Sequence, residues 1–120
     1  MAQSYKQLIA WRRAMEFVTQ IYDATRTFPR DEVYGLTSQP RRAAVSVPSN
    51  IAEGQARYSH REFHRFLTMA RGSVAEIETQ VAIATTLAYL PPETANHLLA
   101  KAAELGRILN GLLASTKSAA

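Results

Sequence analysis

The sequence contains no cysteine, which excludes disulfides, thiol catalysis and cysteine-ligated zinc. It also has no long hydrophobic run. The longest nearly apolar stretch, Val81 to Leu90, carries two threonines and falls short of the about 20 residues that cross a bilayer. The opening Met-Ala-Gln-Ser-Tyr-Lys lacks the apolar core of a signal sequence, so a cytoplasmic location is expected. There is no glycine-rich phosphate loop, no recognisable serine or threonine nucleophile motif, no internal repeat and no low-complexity segment. No glutamate is followed by histidine three positions later, so the Glu-x-x-His pattern of dimetal helical bundles is missing. His60 and His64 have the spacing of a His-Glu-x-x-His zinc motif, but Arg61 stands where the glutamate belongs. The expectation is a protein with no metal, no cofactor and no enzymatic activity.

What remains is ordinary for a folded chain. The 120 residues are 47% hydrophobic and 20% charged, enough to bury a core in one domain without staples. Fourteen basic against ten acidic residues leave a net charge of +4, an excess that permits contact with RNA or DNA without requiring it. No segment reads as a strand, and four segments read as helices.

The first helix is predicted from about Tyr5 to Arg26, capped by Ser4 with Gln7 three residues on. Leu8, Trp11, Met15, Val18 and Tyr22 fall at spacings of three and four and mark one apolar stripe. Arg12 and Glu16, one turn apart, read as a solvated pair. Phe28-Pro29 breaks the helix, with Phe28 plugging the bundle end. Thr37 or Ser38 can cap the second helix, which leaves Pro40 in its first turn, where amide donors are unpaired anyway. That helix, up to Gly54 or just beyond, is rich in Ala, Ser and Val and reads as an inner helix. Pro48 within it removes a backbone donor, so a kink is expected near Ala44 to Val47.

Ser59 with Glu62 is a capping box that opens the third helix. Its face comprises Phe63, Phe66, Leu67, Ala70, Val74, Ile77, Val81 and Ala84. Gly72 and Ser73 lie mid-helix, where Gly costs about 1 kcal/mol relative to Ala. Close approach to Ala43, Ala44 and Ser46 would explain them. Pro91-Pro92-Glu93 ends the third helix near Leu90 and starts the fourth, whose leucine stripe runs from Leu98 to Leu113. The tail from Ala114 to Ala120 is small and polar, and fraying is expected there. The fold class expected is therefore all-α: an up-down-up-down antiparallel four-helix bundle spanning 1–120, with a core over 5–113.

At this point the residues become specific. Leu8 to Trp11, Phe28-Pro29, Glu32, Tyr34-Gly35-Leu36, Gln39, Arg41-Arg42-Ala43, Ser46-Val47-Pro48-Ser49-Asn50-Ile51-Ala52-Glu53-Gly54, Arg57, Gly72-Ser73 and Glu76-Ile77-Glu78-Thr79-Gln80 occur in that order. The chain, from roughly Tyr5 to Leu113, resembles the four-helix bundle family named after the 23S ribosomal RNA intervening-sequence protein. Its expected fold also resembles the accessory protein of diversity-generating retroelements. The resemblance implies a bundle that assembles into a ring-like homopentamer and has no enzymatic activity; nucleic-acid binding is the usual conjecture for its members. One departure is Pro40, where an apolar aliphatic residue is typical, and it bears on where the second helix begins.

Two sets of candidate residues follow. Arg57, Arg61 and Arg65 concentrate charge around the second turn, with Tyr58 as a stacking surface and Arg41 and Arg12 as further basic sites for RNA or DNA. The alternative is that these arginines pair with neighbouring carboxylates or solvate the surface. Arg42, Asn50, Glu53, Glu76 and Glu78 form a second set. Polar groups on an inner helix need partners, so Glu76 or Glu78 is expected to accept from an arginine of the second helix, fixing helix register or a subunit contact. Trp11, Tyr5, Phe28, Tyr34, Tyr58 and Tyr89 exceed what a narrow core absorbs, so some are expected to face a second copy. A protein-binding scaffold without a nucleic-acid role is the rival reading.

Overall fold

The computed structural model describes residues 4–117. Four α-helices, α1 (Ile9–Thr25), α2 (Ser38–Ala56), α3 (His60–Thr86) and α4 (Pro92–Thr116), are accompanied by short 3-10 turns at Tyr5–Gln7 and Arg30–Glu32. No strand occurs among the described residues.

Side-chain contacts between helix ends give the directions. Arg41, near the start of α2, donates from Nε to Thr25 Oγ1 at the end of α1, 2.8 Å away. Phe28, just past α1, meets Tyr89, just past α3, with ring centroids 5.5 Å apart. His64 at the start of α3 bonds Thr116 at the end of α4, 2.8 Å away. Helices α1 and α3 therefore run one way and α2 and α4 the other. This is the expected up-down-up-down bundle, with extents of 47 × 21 × 21 Å.

The core is aliphatic and fine-grained. Ile21, Val47, Ile51, Leu67, Val74, Ile77, Leu105 and Leu109 are fully buried, and alanines at positions 10, 14, 44, 70, 84 and 102 sit among them. On α3 the expected face is buried throughout, except that Phe63 is half-buried. On α1 the expectation needs correction. Its buried residues are Ala10, Ala14, Phe17, Ile21 and Thr25, while Met15 and Tyr22 are 43% and 39% exposed. Small alanines let α1 approach its neighbours, and the larger side chains are left on the flank.

Several ends differ from expectation for local reasons. The Ser4–Gln7 capping box is present, but it caps the 3-10 turn, and α1 proper starts at Ile9. Ser59 Oγ accepts from the Glu62 amide, which starts α3 as expected. Helix α2 starts behind Thr37 without a side-chain cap, and Pro40 is buried in its first turn. Pro48 lies inside an unbroken α2. Helix α3 ends at Thr86, because Ala88 takes a left-handed conformation (φ 63°) and the Tyr89 amide reaches back to Ala84 O, 2.9 Å away. The expected fraying from Ala114 does not hold up to position 116: α4 continues to Thr116, which is buried. The rest of that tail, residues 118–120, lies outside the described residues, as do residues 1–3.

The close approach expected at Gly72 is not found there. Gly72 is exposed, and a Cβ on it would meet nothing within 4 Å. The glycine that needs its missing side chain is Gly54, the last residue of Asn-Ile-Ala-Glu-Gly. A Cβ there would lie 2.7 Å from Phe66 Cβ and 3.1 Å from Phe63 Cδ1. The α2–α3 seam closes at this point and again at Ser46, whose Oγ is 2.6 Å from Ser73 Oγ.

Candidate nucleic-acid interface

The turn between α2 and α3 is three residues long: Arg57, Tyr58 and Ser59. Its tightness comes from Tyr58, which adopts a left-handed conformation (φ 55°). Arg57 and Tyr58 amides bond back to Gly54 O and Gln55 O, and Ser59 at once caps α3.

Around this turn the charges are ordered. Arg57 pairs with Glu53 at 2.9 Å and reaches Glu62 at 4.0 Å. Arg65 forms two hydrogen bonds to the Glu62 carboxylate, at 3.0 and 3.2 Å. Both guanidiniums also lie over the Phe66 ring, 5.2 Å from its centroid for Arg57 and 4.5 Å for Arg65. Phe66 is only 4% exposed, so the two arginines seal the end of the core. The hydrogen bond from Arg65, with the surrounding arginines, holds the Glu62 carboxyl below its usual range.

Arg61 differs from its neighbours. It is exposed and forms no ion pair among the described residues. Near it Tyr58 is 79% exposed. Antiparallel packing brings the start of α1 and the end of α4 to the same end of the bundle, so Lys6, Arg12 and Lys117 lie at this end too. Arg12 is partly engaged, donating from Nε to Lys6 O at 3.0 Å; its expected pairing with Glu16 is taken by Arg13 at 3.1 Å.

Arg41 does not belong to this site. It lies sixteen residues up α2 from Arg57, about 24 Å away along the helix. There it donates to Thr25 Oγ1 and Tyr22 O and stacks 4.6 Å from the Tyr22 ring centroid. It clamps α2 to α1.

The second predicted set is not a single network. Asn50 donates to Ser46 O at 2.8 Å within α2, Glu53 binds Arg57, and Glu76 accepts from Gln80 at 3.2 Å. Arg42 and Glu76 line one shallow groove with Ser46 but form no ion pair, and neither does Glu78, half-buried lower on α3, among the described residues. Arg42, Glu53 and Glu76 are exposed, and a carboxylate in water has no need of a protein partner.

At these helix ends lies a cavity of about 470 Å³, lined by Gly54, Gln55, Tyr58, Ser59, His60, Phe63, Ser115 and Thr116. The Thr116 hydroxyl donates to Leu112 O or Leu113 O. The same hydroxyl is 2.8 Å from His64 Nδ1, which joins the start of α3 to the end of α4. No group of three or more His, Asp or Glu among the described residues could hold a metal ion, and no helix there is long and apolar enough to cross a membrane.

A family model described as the 23S rRNA-intervening sequence protein matches residues 6–111. The chain belongs to that family. A crystal structure from Bacteroides thetaiotaomicron, described as a protein with unknown function from the S23 ribosomal protein family, superposes with a TM-score of 0.81 at 18% identity, covering 88% of this chain and 98% of its own. At that identity the match speaks for the shared bundle. No curated protein matches. The motif residues of this 23S rRNA-intervening sequence family member now have physical roles. Gly54 admits Phe63 and Phe66. Glu32 accepts from the Leu36 amide at 3.0 Å and from the Tyr89 hydroxyl at 2.9 Å, tying the α1–α2 loop to the end of α3. The cavity residues Phe63, Ser115 and Thr116 carry no local sequence signal for a shared site.

Proposed function

We propose that this protein is a non-enzymatic, homo-oligomeric cytoplasmic adaptor that binds nucleic acid, RNA foremost, through the end of the bundle formed by the α2–α3 turn. The observation that carries the reading is the unpaired, exposed Arg61 near the exposed Tyr58, at the end of the bundle where Lys6, Arg12 and Lys117 also lie. Arg57 and Arg65 are committed to Glu53, Glu62 and Phe66, so they build the face more than they contact a phosphate. Repetition of this end around a ring, a homopentamer as the family resemblance implies, would sum weak single contacts by avidity.

Fluorescence anisotropy with labelled structured RNA and duplex DNA across a salt series tests the reading. Arg61→Ala removes one cation without uncovering Phe66. Affinity should fall steeply with salt, and Arg61→Ala should weaken binding and shrink the salt slope by about one unit. No binding even at low salt would overturn it.

The outer face of α3 favours a second reading, a ring that recruits another protein. From Thr68 to Leu87 its exposed residues include Met69, Gly72, Ala75, Ile83 and Leu87, with Glu76 the one charged member. A face so poor in charge is suited to protein contact. A partner bound there would be indifferent to Arg61 and to moderate salt.

A further inference from the structure

We infer that the cavity lined by Tyr58 seats one unstacked base of a single-stranded nucleic acid, with the Tyr58 ring as stacking platform and Arg61 holding the adjoining phosphate. The inference rests on the nucleic-acid reading above and adds to it the strand state and the residues that touch a base.

Three observations converge. First, Tyr58 is held at φ 55°, where a bulky side chain is an uncommon occupant. The backbone itself does not call for tyrosine: Ala88 fills the corresponding left-handed position at the end of α3. Nor does packing, since the ring is 79% exposed. Tyr58 therefore carries a conformational cost and leaves its ring in water. A rigid three-residue turn holds it at the cavity it lines.

Second, the cavity suits a planar heterocycle. Its volume of about 470 Å³ lies within the range of small-ligand sites, and Phe63 is part of its lining. Its polar lining comprises Gln55, Ser59, His60, Ser115 and Thr116. Ser59 Oγ accepts from the Glu62 amide and keeps its hydroxyl hydrogen to donate. Ser115 Oγ donates to Leu112 O and keeps acceptor capacity. The Thr116 hydroxyl is occupied by Leu112 O, Leu113 O and His64. Hydroxyl, amide and imidazole groups of this kind can hydrogen-bond a base edge.

Third, Arg61 lies three residues after Tyr58, on the first turn of α3, exposed and without an ion pair among the described residues. A phosphate next to the seated base would meet it, whereas a base within a duplex could not enter the cavity.

The test compares labelled single-stranded oligo(U) and oligo(dT) twelve-mers with a duplex of equal length, by anisotropy, on the wild type, Tyr58→Gly, Tyr58→Phe and Arg61→Ala. Glycine suits φ 55°, so Tyr58→Gly removes the ring and keeps the turn, and an undiminished melting temperature verifies this. The wild type should favour single strands over duplex. Tyr58→Gly should weaken single-strand binding by about tenfold or more, far more than it weakens duplex binding, while Tyr58→Phe retains most of the affinity. Comparing oligo(U) with oligo(dT) tells whether ribose matters. Single-strand binding that Tyr58→Gly leaves intact but Arg61→Ala weakens would overturn the base pocket and leave the nucleic-acid reading standing. Failure of every probe to bind would overturn both.

Discussion

Phe66 shows how single residues at the α2–α3 turn serve two ends. Its ring closes the core, and the Arg57 and Arg65 guanidiniums that cover it are themselves held by Glu62. Because the Arg65 hydrogen bond lowers the Glu62 pKa from its ordinary 4.5, the stability Glu62 contributes is present above that value and is lost as pH falls through the lowered one. Glu62→Gln should therefore unfold more readily than wild type at neutral pH, and the two should converge well below pH 4.5, measured by denaturant melts across an acid series. Gly54 makes a second prediction. Its missing Cβ is occupied by Phe66 and Phe63, so Gly54→Ala should destabilise by about 1–3 kcal/mol in chemical denaturation, the usual cost of overpacking.

Among the elements, the helix ends and the outer face of α3 are the most informative. Tyr89 donates to Glu32, which raises its phenol above the ordinary 10.0. That contribution is present below pH 10 and is lost as pH rises through the raised value. Tyr89→Phe should free the α1–α2 loop, seen as faster amide exchange at Leu36, whose N–H bonds the same carboxylate. The stability gap to wild type should close in alkali. Gly72 lies in mid-helix with open space around it. Within one chain, Gly72→Ala should stabilise by about 1 kcal/mol, the helix-propensity gain. If a neighbouring copy packs on α3 there, the added methyl should instead weaken assembly, and light scattering beside thermal melts separates the two.

The whole molecule is polarised along its length. Lys6, Arg12, Arg13, Arg57, Arg61, Arg65 and Lys117 outnumber Glu16, Glu53 and Glu62 toward one end, whereas Asp23, Asp31, Glu32 and Glu93 are matched by Arg26, Arg30, Arg41 and Arg42 toward the other. In a closed ring of parallel copies the basic ends would all face one side. The surface apolar groups are consistent with such a ring: Met15 and Val45 are 43% and 42% exposed on the α1 and α2 flanks. Light scattering should give a multiple of the 13.3 kDa chain mass. The Met15→Glu/Val45→Glu variant should fall toward the monomer while keeping its helical circular dichroism. A wild-type monomer at micromolar concentration would overturn the ring.

Much of this was legible in the residues. The spacing along α3 and α4 gives their core faces, Ser59 marks the start of α3 and Pro91-Pro92 the start of α4, because these features act within one or two turns of chain. On α1 the apolar stripe and the buried face differ because hydrophobicity ranks Met15 and Tyr22 above Ala10 and Ala14, whereas burial depends on how close the neighbouring helix comes. Gly72 and Gly54 look alike in sequence, and the partner helix alone distinguishes them. The sorting of the arginines is likewise tertiary. Arg41, Arg57, Arg61 and Arg65 carry the same charge, but Thr25, Glu53, Glu62 and Phe66, from α1, α2 and α3, take up three of them and leave Arg61 open to a ligand. Charge is a property of the residue; availability depends on which side chains the fold brings within reach.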